Sequence, residues 1–543
     1  MESTQVVIIG GGATGAGILW DLALRGIPAL LLEQADIAHG ATGRCHGLLH
    51  SGGRYGVKDR QTARDCLREN RILKQIAPHC VEDTGGLFVQ LPEDDPDFFE
   101  RWWQAAQEAE IPSRRLGAEE LRTLEPNVSE TALGAFTCPD AHIDVFRLVL
   151  ANIDAAIERG ARFRSYAQVT AIETAAGGVR AVRFRDTRTG EEQRVACEVV
   201  VNAAGGWAQH VASLAGVDAP VCCDKGTLLV LNHRLTSHVV NRCRVPGDAD
   251  ILVPAGPVCL LGTSSMAVAG PEGLTASAEE IQALLRTGSQ MVEGLAEARV
   301  LRTFSGVRAL YTPASSHAGG RAASRGFALL DHGQENGVAG FLSIVGGKLT
   351  TYRLMAAAAV DRIAHMLNIP AECTTATTPL RPALKASVRS RAERLLERPV
   401  ADKLLCRRGP AAEQIVAAIA VRPELAELVC ECEMVTRAEV EFVLGGAVPV
   451  PAQTIADVGR RTRLGFGPCQ GTYCGFKTML AGFQTHRWSA AQASREFAGY
   501  LEERWKGQSL VQEGRQLEQL GLSHSLYGDE PFLQEEKGAR HVR

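Results

Sequence analysis

The pattern of apolar and polar residues predicts a strand–helix–strand unit at the start of the chain. Val6–Ile9 is an unbroken apolar run, as expected for a parallel strand buried on both faces. Apolar residues then recur at helical spacing as far as Leu24, Gly26 interrupts the helix, and Ala29–Leu32 forms a second apolar run. Such a unit is the building block of doubly wound folds, so the pattern predicts an α/β domain.

Later apolar runs predict the rest of this sheet and a second sheet beside it. The run at 199–201 precedes Asn-Ala-Ala-Gly-Gly, and another run leads into Gly346 and Gly347 before a helix. Alternating stretches such as KGTLLVLN and GPVCLLGTSS predict a mainly antiparallel sheet. We predict an α/β domain in 1–380 with inserts at about 80–195 and 215–335, a helical linker in 381–424, a small module in 425–482 and a helical tail in 483–543.

Composition and charge narrow the classes of function. The 543 residues carry a net charge of −4, which argues against a nucleic-acid-binding surface. No apolar run reaches about 18 residues, so we expect no membrane-spanning helix. The start MESTQVVIIGGG lacks the features of a secretory signal, so we expect a cytoplasmic protein. In that reducing compartment, most of the 15 cysteines are expected to be small buried apolar residues, whereas clustered ones are more often ligands.

A glycine motif between the first strand and the first helix indicates a dinucleotide site. In the sequence Gly10-x-Gly12-x-x-Gly15, the first glycine allows a tight turn and the second a close approach of the backbone to a pyrophosphate. Gly15 allows the helix to pack closely on the strand, and the helix N-terminus faces the phosphates. Glu33, at the end of the second strand, is placed to accept hydrogen bonds from a ribose, which favours FAD or NAD over NADP.

Three further segments favour FAD over NAD. Residues 36–56, DIAHGATGRCHGLLHSGGRYG, bring several histidines and arginines into one glycine-rich loop that can follow an extended flavin. The segment NAAGGW follows a buried strand, as is common near the adenosine end of flavoproteins. In GGKLTTYR, two glycines precede a helix whose positive N-terminus would stabilise the negative charge of reduced flavin.

At this point the chain resembles a known family. GGGATGAG, ATGRCHGLLHSGGRY, NAAGGW, SGVRAL, SRGF and GGKLTTYR occur in the order seen in FAD-dependent glycerol-3-phosphate dehydrogenases. The resemblance covers about residues 5–365 and implies a fold of the glycine oxidase and D-amino-acid oxidase type, in which an FAD-binding Rossmann-like domain is interleaved with an antiparallel substrate domain. Cys45-His46-Gly47 departs from the aerobic relatives, which have serines here.

The resemblance also implies site residues for the oxidation of sn-glycerol 3-phosphate to dihydroxyacetone phosphate. The resemblance assigns the substrate phosphate to Arg308 and Arg325. It places Arg54 nearer the flavin and gives Thr263 as a hydroxyl of the substrate pocket. The expected catalytic residues are His50, which acts as the base, together with Arg54 and Lys348. The residues expected to hold FAD are Gly10, Gly12, Ala13, Thr14, Gly15, Glu33, Gly40, Thr42, Arg44, His46, Gly47, Leu48, Ala204, Gly205, Trp207, Gly346, Gly347, Lys348, Leu349 and Thr350.

Four cysteines near the end of the chain form two close pairs, Cys430-x-Cys432 and Cys469-x4-Cys474. Buried thiols, disulfides, a structural zinc site and a [2Fe–2S] cluster are the alternatives. Zinc sites usually show C-x2-C pairs, and a cluster needs four thiolates on short loops, so the spacing favours [2Fe–2S] over Zn. The pattern resembles the bacterioferritin-associated-ferredoxin type of domain and points to the large subunit of the anaerobic, multi-subunit form of the dehydrogenase.

That resemblance implies partners. We expect a hetero-oligomer with a flavin subunit together with a membrane-anchoring iron–sulfur subunit, which passes electrons to quinone in anaerobic respiration at the cytoplasmic face of the inner membrane. Two alternatives remain open at this stage: an amine or amino-acid oxidase of the same fold, and a flavin and iron–sulfur redox sensor without turnover.

Overall fold

A computed structural model describes residues 2–311, 326–446 and 448–527. Its strands are β1 (Glu2–Ser3), β2 (Val6–Ile9), β3 (Ala29–Leu32), β4 (Leu48–Leu49), β5 (Val81–Glu82), β6 (Gly86–Gln90), β7 (Arg115–Gly117), β8 (Gly134–Cys138), β9 (Ala141–Ile143), β10 (Arg162–Arg164), β11 (Ala167–Ala175), β12 (Gly178–Asp186), β13 (Glu192–Ala196), β14 (Val199–Asn202), β15 (Val221–Leu231), β16 (Val239–Arg242), β17 (Ile251–Ala255), β18 (Val258–Gly262), β19 (Met266–Val268), β20 (Val300–Tyr311), β21 (Phe327–Asp331), β22 (Phe341–Gly346), β23 (Leu428–Cys430) and β24 (Val435–Thr436).

Its helices are α1 (Ala13–Leu24), α2 (Arg60–Ile76), α3 (Pro96–Glu108), α4 (Ala118–Leu124), α5 (Val145–Ile157), α6 (Ala208–Ser213), α7 (Ala278–Gly288), α8 (His332–Glu335), α9 (Tyr352–Met366), α10 (Ala386–Leu395), α11 (Arg398–Arg408), α12 (Ala412–Val421), α13 (Arg437–Leu444), α14 (Ile455–Thr462), α15 (Cys474–Gln484), α16 (Ala490–Gln508) and α17 (Gly514–Tyr527). Within the described ranges, no helix combines the length and the apolar character needed to cross a bilayer.

A six-stranded sheet forms the centre of the first domain, in the order β10-β3-β2-β14-β22-β21. The first five strands are parallel, and β21 pairs antiparallel with β22. Alternate residues of β2 face opposite sides: Val6 and Ile8 pack with α1, α5 and α9, whereas Val7 and Ile9 pack with a four-stranded sheet made of β1, β13, β12 and β11. Burial on both faces explains why these strands are continuous apolar runs.

The second domain is a mainly antiparallel sheet of nine strands. Its order is β19-β15-β18-β17-β16-β6-β8-β7, with β20 on the other side of β15, and β16 and β6 are its parallel pair. The strands come from two stretches of sequence, as the alternating pattern predicts. The first stretch ends at β8, before the predicted limit of 195, because the apolar face of α5 packs on α1 and β10–β13 join the sheets around β2 and β3.

The C-terminal third packs as further small cores. Helices α10–α12, predicted as a linker, share a core with Ala438 of α13. The cysteine module is the part of the chain from β23 to α16, and its core includes Phe497 and Tyr500, so α16 belongs to the module and not to a separate tail. Thr436 caps α13 by accepting the N–H of Glu439, and the carboxylate of Glu439 pairs with Arg407.

Buried ion pairs join the cysteine module to the first domain. The guanidinium of Arg461 donates to both carboxylate oxygens of Asp36 at 2.8 Å, and the two side chains are almost fully buried. Arg463 lies 3.3 Å from a carboxylate oxygen of Asp144. Asp36 lies three residues after Glu33, so the module is anchored beside the segment that carries the predicted ribose ligand.

Candidate active site and cysteine cluster

A cavity of about 1400 Å³ lies between the carboxyl ends of the parallel strands and the nine-stranded sheet. Open α/β sheets bind ligands at this end of their strands. The glycine loop after β2, Glu33, the segment after β14 and the Gly346–Gly347 turn line one end. Strands β15 and β20 line the other end.

The glycine loop has the close packing that a dinucleotide site needs. Gly10 has a φ of +115°, and a Cβ at Gly15 would lie 1.9 Å from the carbonyl oxygen of Gly10. Larger residues are therefore excluded and α1 starts directly against the loop. The N–H of Ala13, in the first turn of α1, donates to Oγ1 of Thr42 at 3.1 Å. This bond connects the glycine loop to the segment that the sequence predicts along a flavin.

Glu33 is buried at the end of β3. Its carboxylate accepts the N–H of Gly11 at 2.6 Å and the N–H of Ala35 at 2.9 Å. Burial raises the pKa of Glu33 above its usual range, while the two N–H donors act in the opposite direction. A carboxylate has about four acceptor positions, so the side chain keeps capacity for ribose hydroxyls while it fixes the glycine loop.

Two arginines lie at the opposite end of the cavity, each held by a buried aspartate. Arg308, on β20, donates from Nη1 to Oδ2 of Asp224 at 2.7 Å and from Nη2 to Oγ1 of Thr263. Arg54 donates to Oδ2 of Asp250 at 3.3 Å. Both aspartate side chains are fully buried. These carboxylates fix the direction of the guanidinium groups, which makes a preorganised site for an anion.

A histidine, a tyrosine and a lysine meet between the two ends of the cavity. The N–H of His50 donates to Oγ1 of Thr350 at 3.0 Å, and Nε2 of His50 lies 3.4 Å from Oη of Tyr55. Nζ of Lys348 lies 4.8 Å from the centre of the Tyr55 ring. Tyr55 is absent from the predicted residues although it follows Arg54 in the HSGGRY motif, which is the signal that could have found it.

His46 lines the cavity in a strongly desolvated position. Its Nε2 is buried beside the backbone of Gly262. Burial, together with the charges of Arg308 and Arg54, lowers the pKa of His46 to about 3. The imidazole is therefore neutral at physiological pH.

Most predicted residues line this one cavity, and the exceptions have structural explanations. Gly15 lies behind the glycine loop, where its missing Cβ permits the packing on Gly10. Gly47 has a φ of +66° and packs against Ile143. Thr350 is buried behind the cavity wall, and its Oγ1 positions the backbone of His50 by accepting its N–H. Arg325 lies outside the described residues. The remaining predicted flavin, catalytic and substrate residues all line the cavity.

Two residues of the nine-stranded sheet belong to the site but were missed by the sequence analysis. Asp224 holds Arg308, and Ser265 in turn donates to Oδ1 of Asp224 at 2.7 Å. Gly306 lies directly against residues 36–56 (the flavin loop), because a Cβ at Gly306 would lie 2.6 Å from Cβ of Arg44. Asp224 stands in no recognisable motif, and the pairing of β15 with β20 places it opposite Arg308. Gly306 is the glycine of the SGVRAL motif, which is the signal that could have found it.

His142 lies behind the flavin loop and gives the protein a predicted acid sensitivity. Burial, followed by the charge of Arg463, lowers the pKa of His142 to about 4, against about 6.5 in an unfolded chain. As the pH falls, the unfolded state binds the proton before the folded state does. The contribution of neutral His142 to the free energy of unfolding is therefore complete above about pH 6.5 and is lost as the pH falls towards 4.

The variant His142→Gln tests this acid sensitivity. In the wild type, His142 should lower the free energy of unfolding by up to about 1.4 kcal/mol for each pH unit between these values. We expect the melting temperature of His142→Gln to fall less steeply over the same range. Equal slopes for both proteins would contradict this assignment.

The four C-terminal cysteines come together in the cysteine module. Cys430 ends β23 and Cys474 begins α15. The thiol of Cys474 interacts with those of Cys430 and Cys469, and Cys469 also interacts with Cys432. These contacts lower the pKa of Cys430 to about 7 and of Cys469 to about 5, and they raise the pKa of Cys474.

The thiol contacts do not form a simple metal site. Within the described part of the chain, no group of three or more histidine, cysteine, aspartate or glutamate side chains is arranged to hold a metal ion. The loops are nevertheless tightly constrained, because a Cβ at Gly467 would lie 2.4 Å from Cβ of Cys432.

Comparison with known proteins gives a consistent picture. The family described as FAD dependent oxidoreductase matches residues 5–353. The A subunit of the anaerobic glycerol-3-phosphate dehydrogenase of Escherichia coli (strain K12) is 42% identical over 531 residues, which cover 97% of this chain and 96% of the relative.

Solved structures show the same fold. The glycerol-3-phosphate dehydrogenase from Bacillus halodurans, complexed with FAD, gives a TM-score of 0.68 at 20% identity and covers 98% of this chain and 97% of its own. Glycine oxidase from Geobacillus kaustophilus gives a TM-score of 0.56 at 20% identity, covering 71% of this chain and 100% of its own. The predicted fold of the glycine oxidase type is confirmed.

Proposed function

Because the chain belongs to the FAD-dependent oxidoreductase family, and within it to the family of anaerobic glycerol-3-phosphate dehydrogenase A subunits, we propose that it oxidises sn-glycerol 3-phosphate to dihydroxyacetone phosphate. The observation that supports this most is the pair of aspartate-held arginines, Arg54 and Arg308, at the far end of a cavity that begins with a dinucleotide loop. A dianionic phosphate suits two guanidinium groups, whereas an amino-acid carboxylate needs one.

The residues of the first domain fit FAD. The crowded glycines leave the N-terminus of α1 open to a pyrophosphate, and Glu33 is held at the ribose position. Thr42, Arg44 and the Gly346–Gly347 turn line the same cavity as the glycine loop, and the cavity of about 1400 Å³ has room for an extended flavin. When bound there, FAD supplies a two-electron acceptor for the hydride from C2 of the substrate.

The remaining roles follow from the position of each side chain. Arg308 and Arg54 bind the substrate phosphate, Thr263 contributes its hydroxyl, and Arg325 is proposed as a further phosphate ligand. His50 takes the proton of the C2 hydroxyl, since imidazole titrates near neutral pH and its backbone is fixed by Thr350.

Lys348 and Tyr55 adjoin His50 and set the electrostatic environment of this proton transfer. A positive ammonium group near the base favours its neutral, proton-accepting form.

We propose that Cys430, Cys432, Cys469 and Cys474 hold a [2Fe–2S] cluster, with zinc as the alternative. Four thiols in mutual contact on short, glycine-rich loops supply the required donor set. Zinc sites usually show C-x2-C pairs, which the spacing of these four cysteines lacks. A [2Fe–2S] cluster supplies a one-electron carrier beside a two-electron cofactor.

The relative from Escherichia coli is named as one subunit of its dehydrogenase, which supports a multi-subunit assembly. We propose that a flavin subunit together with a membrane-anchoring iron–sulfur subunit receives the electrons and passes them to quinone, at the cytoplasmic face of the inner membrane.

The test of the reaction is anaerobic mixing of the purified FAD-loaded protein with glycerol 3-phosphate, glycine or sarcosine. We expect glycerol 3-phosphate to bleach the flavin absorption band at roughly 450 nm, which is common to flavins. We expect the two amines to leave this band unchanged. Bleaching by an amine would support an oxidase, and a spectrum that no substrate changes would support a redox sensor. Metal analysis of the same sample distinguishes iron from zinc.

A further inference from the structure

Helix α16 connects the cysteine cluster to the wall of the cofactor cavity. Near its C-terminal end, the carbonyl of Gly507 accepts from Oγ1 of Thr303 on β20 at 3.2 Å. Gln512, just beyond the helix, donates to the carbonyl of Leu301 at 2.8 Å. Strand β20 continues from these contacts to Gly306, against the flavin loop, and to Arg308. Strand β20 therefore links the C-terminal end of α16 to the wall of the cavity.

Tyr500, in the middle of α16, lies against the loops that hold the cysteines. A Cβ at Gly471 would lie 1.7 Å from Oη of Tyr500, and a Cβ at Gly475 would lie 2.6 Å from its ring. These glycines follow Cys469 by two residues and Cys474 by one. Both thiols are among the groups that interact electrostatically with Tyr500. The hydroxyl is thus held next to the cluster by close backbone packing.

The hydroxyl of Tyr500 lacks a hydrogen-bond partner in the described part of the chain, although the side chain is buried. A buried hydroxyl without a partner costs about 1–3 kcal/mol, so one is expected to be kept where a bound group completes the bond. The sulfur atoms of a cysteine-held cluster are acceptors at this position, whereas the neighbouring arginines are donors and cannot accept from the hydroxyl.

Two arginines extend this polar surface towards the flavin loop. The guanidinium carbon of Arg504 lies 4.9 Å from the centre of the Tyr500 ring, and its Nη1 donates to Gln470 at 3.1 Å. Arg302, on β20, interacts electrostatically with Arg504 and with Arg44, and its Nε is buried without a partner among the described residues. Glu503 is the acidic residue in this group, which leaves a net positive charge on the side of the cysteine cluster that adjoins β20.

We propose that Tyr500 donates a hydrogen bond to a sulfur of the cysteine-held cluster and that, together with Arg302 and Arg504, it makes the cluster easier to reduce. This inference rests on the proposed [2Fe–2S] site. Hydrogen bonds to sulfur and nearby positive charges stabilise the more negative, reduced state of an iron–sulfur cluster, and they raise its reduction potential. Tyr500 is therefore a positioning and tuning residue of the cysteine-held cluster.

The test compares Tyr500→Phe with Tyr473→Phe in the full-length, cofactor-loaded protein. Tyr473 is a matched control, because it directly precedes Cys474 but has a side chain that is 73% exposed. Iron content, flavin content and melting temperature are measured first, followed by the midpoint potential of the cluster in an EPR-monitored redox titration. We expect Tyr500→Phe to retain iron and flavin and to shift the potential to a more negative value, with Tyr473→Phe matching the wild type.

The outcomes separate this inference from the proposed function. An iron-containing Tyr500→Phe protein with the wild-type potential overturns the hydrogen bond but leaves the cluster in place. A wild-type protein with zinc or without metal overturns both the cluster and the role of Tyr500. In each case, bleaching of the flavin by glycerol 3-phosphate reports separately on the proposed reaction. Arg302→Gln is a second variant, and a potential that does not become more negative would remove the electrostatic part of the proposal.

Discussion

Replacing Arg308 by alanine is expected to lower kcat/KM for glycerol 3-phosphate by roughly a hundred- to a thousand-fold, because removing one partner of a hydrogen-bonded charge pair with a bound anion costs about 2–5 kcal/mol. The change removes a guanidinium that is placed for the phosphate and leaves the buried Asp224 without its 2.7 Å partner. Most of the effect should appear in KM. The measurement is steady-state reduction of an artificial dye at increasing substrate concentration.

Two companion variants make this result specific. Arg308→Lys keeps the charge but loses the planar fork, so we expect it to lie between the wild type and the alanine variant. Arg398→Ala removes an arginine whose side chain is 88% exposed, and it should change neither kinetic constant. All proteins must bind the same amount of FAD. An Arg308→Ala enzyme with the wild-type KM would show that the phosphate is held elsewhere.

Replacing Cys474 by alanine is expected to remove almost all iron from the protein while FAD remains bound. A [2Fe–2S] cluster needs four thiolates, and alanine supplies no ligand. Cys474 is the first residue of α15, where alanine is compatible with the helix, so the fold should survive. Glycerol 3-phosphate should still bleach the flavin, since the reacting groups lie in the cavity, but electron transfer to partner subunits and quinone should be lost.

The matched control is Cys406→Ala, which removes an exposed thiol outside the cluster. It should retain iron, flavin and electron transfer. Iron and acid-labile sulfide are measured together with the EPR signal of the reduced protein. Wild-type iron content in Cys474→Ala would contradict the proposed ligand set, and loss of flavin as well as iron would indicate unfolding.

The predictions that succeeded depend on local patterns. The strands Val6–Ile9 and Ala29–Leu32 have the predicted bounds, because burial on both faces requires continuous apolar residues. The glycines between these two strands allow a tight turn and close packing between segments that lie within about 30 residues of each other in the sequence. The four cysteines that the spacing grouped have thiols in contact, and their role as cluster ligands stays a prediction.

Other expectations failed where packing and not local pattern sets the outcome. The segment 145–196 looked like part of the insert because it contains strands, but α5 packs on α1 and β10 extends the parallel sheet. The helix α16 looked like part of a tail, and its Phe497 and Tyr500 complete the core of the cysteine module.

The sequence by itself determined the glycine loop after β2 and the family, since both depend on short motifs of residues that are neighbours in the chain. Only the tertiary structure decided which side chains support them. Asp224 meets Arg308 because β15 and β20 pair antiparallel with these two residues opposite each other. Tyr500 meets the cysteines because Gly471 and Gly475 leave room for its ring. Such contacts depend on strand register and shape complementarity between distant segments, and these properties arise only when the chain packs.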